Sequence, residues 1–311
     1  MITAVAILGP TATGKSRLGM SLATRLGGEI LSIDSRQAYR RLDVGTAKPA
    51  PEDRRTVPHH LIDVFDLDEK PNAETFSRLA LAAMGDVASR GKLPILVGGS
   101  GLYFRAITQG FFDIDLDEAA RRSFADSLRA AENGDLHERL LGVDPDSARR
   151  IHPNDRYRTI RALEVFVLTG KSLSDHMRSQ QSDAERREIR FAKIGLEIPR
   201  ADLHRNIDDR AREMLKRGWV EEVETLLAEG IDARCPGLQT LGYPQIVAHV
   251  RGHASFAQTA SRIIELTRQY AKRQVTWFKK EPEVRWIGAG DSSVLDQAES
   301  LVRSFAGGQS D

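Results

Sequence analysis

The sequence predicts an α/β protein built on a doubly wound parallel sheet, with a helical insertion and a helical C-terminal part. Two observations carry this. Gly9-Pro10-Thr11-Ala12-Thr13-Gly14-Lys15-Ser16 satisfies G-x-x-x-x-G-K-[ST] at every fixed position. Short apolar runs then alternate with stretches of helical spacing as far as Val97, the pattern of βαβ units. The motif is a phosphate-cradling P-loop, so the expected class is P-loop NTPase-like.

The elements follow in order. Ala4 to Leu8 is an apolar run suited to a buried strand, and Arg17 to Leu26 places Leu18, Leu22 and Leu26 on one helical face. Gly27-Gly28 closes that helix and Glu29 to Ile33 reads as a second strand, ending in Asp34-Ser35-Arg36-Gln37. Asp43 to Pro49 is a loop punctuated by glycine and proline, and Leu61 to Phe65 is expected as a third strand. Asn72 then caps a helix whose inner face is Phe76, Leu79, Ala83 and Val87, stopped by Gly91. Pro94 to Val97 is the fourth strand and runs into Gly98-Gly99-Ser100-Gly101.

From Phe112 to Arg150 the spacing is helical, charges are frequent and no β-branched run appears. Asp155 to Thr169 is a helix with Ile160, Leu163, Val167 and Leu168 inward, and Phe191 to Ile198 returns as a strand. Helices follow over Asp202 to Arg217, Val220 to Glu229 and Ser261 to Lys279. The expected organisation is a P-loop core over 1–112, a helical insertion over 113–150, a return to the core with C-terminal helices over 151–306, and a disordered tail over 307–311.

Composition narrows the function classes. The chain has 311 residues, 41% hydrophobic and 29% charged, as expected of a globular protein. Net charge is +1, so a nucleic-acid surface must be a local patch. A single cysteine, Cys235, excludes a disulfide framework and a multi-cysteine zinc site, and fits a small buried residue in a reducing cytoplasm. No signal peptide and no membrane span are expected.

At the P-loop, backbone N–H groups and the positive helix end face an anion. Lys15 is expected to reach the terminal phosphate, and Ser16 to stand where Mg²⁺ binds. Nucleotide hydrolases of this class hold the metal with an aspartate closing a second strand. Here that strand, Ile95-Leu96-Val97, ends in glycines. The acidic strand tip beside the loop is Asp34, which either caps a turn or acts as a general base. Arg205 and Arg210 could clamp a pyrophosphate, or pair with acids on their own helix. Two basic clusters stand out: Arg149 to Arg161, and Arg262 to Lys280 with Tyr270, Trp277 and Phe278 interleaved. Each fits either a solvated face or RNA backbone contacts with base stacking.

Taken together, GPTATGKS (Gly9 to Ser16), DSRQAY (Asp34 to Tyr39), VGTAKP (Val44 to Pro49) and PHHLID (Pro58 to Asp63) resemble the bacterial tRNA dimethylallyltransferases, also called tRNA isopentenyltransferases. LVGGSGLY (Leu96 to Tyr103), PNDRYRTIRALEV (Pro153 to Val165) and YAKRQVTWF (Tyr270 to Phe278) extend the likeness nearly end to end.

The resemblance implies a transferase that uses dimethylallyl diphosphate and Mg²⁺. It alkylates N6 of the adenosine 3′ of the anticodon, recognised in the anticodon stem-loop of tRNA. It implies that Gly9 to Ser16 hold the donor diphosphate and that Asp34 takes the N6 proton. It further implies tRNA contacts at Asp34, Ser35, Arg36, Gln37 and Ser100, at a residue near Arg122, and at Arg158, Thr159, Ile160, Arg161 and Ala162. A cytoplasmic monomer is expected. Ser100 and Thr13 keep the hydroxyl of the family's commoner residues, whereas Pro244 departs from the pattern and removes a backbone donor. The rival readings are a P-loop kinase using ATP, and an RNA-binding protein with a vestigial P-loop.

Overall fold

The structure, a computed structural model, describes residues 1–110, 118–128, 130–179 and 188–307. In chain order the elements begin β1 (Ile2–Leu8), α1 (Lys15–Leu26), β2 (Gly28–Ser32), α2 (Pro51–Thr56), β3 (His59–His60), α3 (Ala73–Ser89), β4 (Leu93–Val97) and α4 (Gly101–Gln109). Next come α5 (Glu118–Ser127), α6 (Asn133–Val143), α7 (Pro145–Arg150), α8 (Arg156–Thr169), α9 (Leu173–Ser179) and β5 (Ile189–Glu197). The last are α10 (Arg200–Lys216), α11 (Trp219–Ala228), α12 (Tyr243–Val250), α13 (Phe256–Phe278), β6 (Arg285–Gly288) and α14 (Val294–Gly307). Two compact units result: Met1–Thr108 with Asp183–Asp311, and Gln109–Ser182.

The first unit is a parallel sheet in the order β3-β2-β4-β1-β5-β6. Side chains alternate across each strand. Ile30, Ile95, Val5 and Ala192 therefore lie in register on one face, where α1 and α14 cover them with Leu18, Leu22, Ala298 and Val302. On β1 the alternate residues Ala4, Ala6 and Leu8 are also fully buried, and α3 packs against β1, β2 and β4. Both faces are covered, which is why these strands read as unbroken apolar runs.

Three expectations change. The third strand is only His59–His60, because Leu61 and Asp63 take left-handed backbone (φ 66° and 59°) and break the extended chain, leaving Phe65 a lone bridge to Tyr39. The inner face of α3 is Phe76, Ala80, Met84 and Val87, rotated from the expected set. The edge strand β6 and helix α14 were not foreseen. Asn72 does cap α3, accepting from the Thr75 N–H, and Gly27 ends α1 with φ 66°.

The second unit is wider than the expected 113–150. Its core joins Leu136 and Leu140 of α6 to Ala162 and Leu163 of α8, so α8 packs with the insertion helices. Val167, expected inward, is exposed, while Thr159 and Val165 are buried. Asp144 is buried and caps two helices, accepting from the N–H groups of Ser147 and Ser174. Of the tail expected over 307–311, Gly307 ends α14 as helix, and 308–311 lie outside the described residues.

Candidate active site

The neighbours of β1 and β4 in the sheet decide where the site lies. Because β1, β4 and β2 are adjacent and parallel, the P-loop, the Gly98-Gly99-Ser100 turn and the Asp34–Gln37 loop all leave the same sheet edge. This is where ligands bind in open α/β sheets. Short bonds stitch the loops together: Ile33 N–H to Val97 O (2.9 Å), Gly98 N–H to Ile7 O (3.2 Å) and Ser35 N–H to Ser100 Oγ (3.2 Å).

The P-loop needs its glycine. Gly9 has φ 137°, and a Cβ there would stand 2.7 Å from the Leu196 carbonyl oxygen. Ala12 (φ 64°) and Gly14 (φ 87°) are also left-handed, and alternation of this kind forms anion-binding concavities. Thr13 Oγ1 donates to Pro10 O at 2.9 Å, as does Lys15 Nζ at 2.5 Å. The Lys15 ammonium is buried: desolvation, then the charge of Arg210, lowers its pKa to about 7, with Asp34 pulling the other way. Burial and the neighbouring Arg36 also push the Arg210 guanidinium below its usual range. Three crowded cations with one nearby carboxylate make a cradle suited to an anion.

Two helices close on this loop. From α13, Gln274 accepts the Thr11 N–H with Oε1 (2.9 Å) and donates from Nε2 to Gly99 O (2.8 Å). It thus ties the P-loop to the β4 turn. From α10, Asn206 Nδ2 donates to Ala12 O (3.2 Å) and Arg210 Nη1 to Thr11 Oγ1 (3.5 Å). Arg36 lies 5.1 Å from the centre of the Tyr270 ring. Gln274, Asn206 and the role of Tyr270 were not identified from sequence, although Tyr270 and Gln274 sit inside the YAKRQVTWF segment.

The expected residues fare differently. Asp34 Oδ1 accepts the Arg36 N–H (2.9 Å), so it does close a turn, and its charge also acts on Lys15, Arg210 and Tyr270. The turn-capping reading of Asp34 is thus met, and its place among these groups is compatible with a base. Gln37 is occupied at both ends, accepting from Ser32 Oγ and donating to Thr46 O and Ala47 O. It shapes the loop. Arg205 is a correction: it is 68% exposed and pairs with Asp202. Five residues along a helix turn the side chain far from that of Arg210, so the two cannot grip one ligand. In the second unit Arg158 is exposed, Arg161 pairs with Glu164, and Ile160 packs beside the core. Thr159 and Ala162 are fully buried, so their side chains offer no surface. The side chain of Arg122 lies outside the described residues. Pro244 falls in the first turn of α12, where no N–H is needed.

Beside the P-loop opens a cleft of about 410 Å³, counting the solvent at its mouth. Thr11, Arg36 and Arg210 give it a polar end, and Ile207, Ala211, Met214, Trp219, Leu241 and Ile263 give it an apolar wall. No group of three or more His, Cys, Asp or Glu able to hold a metal occurs among the described residues. Mg²⁺ fits nonetheless through the exposed Ser16 hydroxyl, because this ion needs few protein ligands and completes its shell with phosphate oxygens and water.

Comparison with known proteins agrees with this layout. A family model described as IPP transferase matches residues 37–281. A tRNA dimethylallyltransferase of Geobacter metallireducens is 44% identical over 284 residues, 91% of each chain. One from Methylococcus capsulatus is 43% identical over 307 residues, 96% of each. Among solved structures, the full-length tRNA isopentenylpyrophosphate transferase of Bacillus halodurans superposes with TM-score 0.72 at 35% identity, covering 99% of this chain and 96% of its own. A eukaryotic dimethylallyltransferase acting on tRNA gives TM-score 0.77 at 28% identity, covering 98% and 78%. The chain belongs to the IPP transferase family.

Proposed function

We propose that the protein is a tRNA dimethylallyltransferase. It moves the dimethylallyl group of dimethylallyl diphosphate to N6 of the adenosine 3′ of the anticodon and releases diphosphate. The observation that carries this is the cleft itself. Its cationic end adjoins the P-loop, its other wall is aliphatic and aromatic, and the Asp34 carboxylate acts on Lys15 and Arg210 at the cationic end. A diphosphate with a short hydrocarbon chain matches that division.

The chemistry follows from charge. Rupture of the allylic C–O bond leaves positive charge on the hydrocarbon and an electron pair on the diphosphate oxygen. Lys15, Arg210 and the P-loop amides are the donors and charges this reading assigns to that growing negative charge. Mg²⁺ at Ser16 supplies further charge neutralisation of the diphosphate when bound. As N6 forms its bond to the allylic carbon, Asp34 takes the proton the amine loses. The adenine must leave its stack to reach the strand tip, which costs a few kcal/mol that backbone contacts offset. Arg36 over Tyr270, beside Asp34, forms a planar surface suited to receive it.

Among the described residues no helix is long and apolar enough to cross a membrane. The proposal places the reaction in the cytoplasm, with a monomer as the working form. The test is an unmodified anticodon stem-loop incubated with Mg²⁺ and dimethylallyl diphosphate, then digested to nucleosides. One adenosine should gain a single five-carbon unit on N6, and replacing that adenosine by guanosine should abolish the product. Modification at another position, or none, contradicts the reading.

A further inference from the structure

The apolar wall of the cleft has a direction. Asn206 and Arg210 fix the middle of α10 against Ala12 and Thr11. Ile207, Ala211 and Met214 share a face of the same helix, and they lead away from the P-loop over about 10 Å. Helix α13 runs antiparallel beside it. Arg268 holds Asp208 with two bonds (3.1 and 2.6 Å), and Ala271 packs with Ile207. Ile263, further back along α13, therefore meets the Met214 end. Trp219, which follows α10 after the Gly218 turn, stands there too and lines the cleft.

Trp219 is built to stay in place. It is 1% exposed and meets Tyr243 edge to face at 5.5 Å. Its ring lies on Gly45 and Gly242, where a Cβ would approach to 2.0 and 2.2 Å. Gly45 belongs to the 43–45 turn, whose three N–H groups donate to the Glu222 carboxylate, and the Tyr243 hydroxyl donates to it as well. The half-buried Glu222 carboxylate thus ties together the turn and the tyrosine that flank the ring. Resting on the donor assignment above, we propose that Trp219 is the specificity-determining residue for donor length. Its ring closes the far end of the cleft, so that one isoprene unit fits and an allylic diphosphate one unit longer is refused.

Among the described residues the buried indole N–H has no partner. Leaving a polar group so costs stability, so a ring without that group is tolerated in its place and Trp219→Phe should fold. Trp219→Phe and Trp219→Ala, checked for folding by circular dichroism, are compared with the unaltered chain in kcat/KM for dimethylallyl and geranyl diphosphate at saturating tRNA. The unaltered chain should prefer dimethylallyl by about a hundredfold or more. The geranyl-to-dimethylallyl ratio should rise at least about tenfold in Trp219→Ala and by a smaller factor in Trp219→Phe. A ratio unmoved in a folded variant, or equal use of both donors by the unaltered chain, overturns the proposal. Failure of the unaltered chain to transfer dimethylallyl at all would instead overturn the donor assignment, so the two failures are distinct.

Discussion

Asp34 and Lys15 stand together among the charges of Arg36 and Arg210. The Asp34 carboxylate spends one oxygen on the Arg36 N–H and still faces the cations of the P-loop. Asp34→Asn keeps that turn bond while losing proton affinity, so donor binding should persist and single-turnover transfer should fall by about 10²–10⁴-fold. A near-normal rate would remove Asp34 as the base. Lys15 makes a prediction about pH. Free, it titrates near 7; an anion beside it raises that value. Donor binding above pH 7 should therefore take up a proton, and affinity should weaken by up to about tenfold per pH unit there. Calorimetry in buffers of different ionisation heat reads this directly, and zero uptake at pH 8 would contradict it. The same shift bears on stability. A folded pKa below the unfolded 10.5 means that the cost of burying the charge is fully present below pH 7 and is relieved as pH rises toward 10.5. Lys15→Met should thus stabilise the ligand-free chain at pH 6 by about 1 kcal/mol or more in urea melts, with the gain shrinking as pH rises.

Among elements, α13 matters more than its length suggests. Its Gln274 satisfies one N–H of the P-loop and one carbonyl of the β4 turn at once. Gln274→Leu leaves both groups buried and unpaired, which should cost about 1–3 kcal/mol of stability and weaken donor binding. An unchanged melting temperature with unchanged donor KM would mean that the tie is idle. The elements also show what could be read in advance. The P-loop and strands β1, β2 and β4 were legible because a strand covered on both faces is largely apolar and its loops need glycine, and β5 was legible through its buried stretch Ile194-Gly195-Leu196. Strand β6 was not, since Arg285-Trp286-Ile287-Gly288 is short and lies at the edge, with only Ile287 buried. The truncation of β3 depended on two left-handed non-glycine residues, Leu61 and Asp63, which no spacing rule reveals. The Arg205 assignment failed for a simpler reason. Charge was counted along the chain without asking which face of α10 each side chain occupies.

At the scale of the molecule, the donor site lies wholly within the sheet unit, while the other basic cluster belongs to the helical unit. That boundary was misread because α8 has an apolar face that suits either partner, and only packing against Leu136 and Leu140 decides between them. Arg158 is the cleaner residue for testing RNA contact, being exposed and paired with Asp155 at its own helix start. Arg158→Glu should weaken tRNA binding and reduce the slope of log K against log salt by about one. An unchanged slope would make the cluster a solvated surface. The central claim, though, concerns the P-loop: here it holds a leaving group, where the same motif commonly holds the group to be transferred. Dimethylallyl diphosphate labelled with carbon-14 in the chain and phosphorus-32 in the diphosphate tests this in one reaction with unmodified tRNA. Carbon-14 should appear in the RNA and phosphorus-32 in free diphosphate. Phosphorus-32 in the RNA, or carbon-14 that never leaves the donor, would contradict the account.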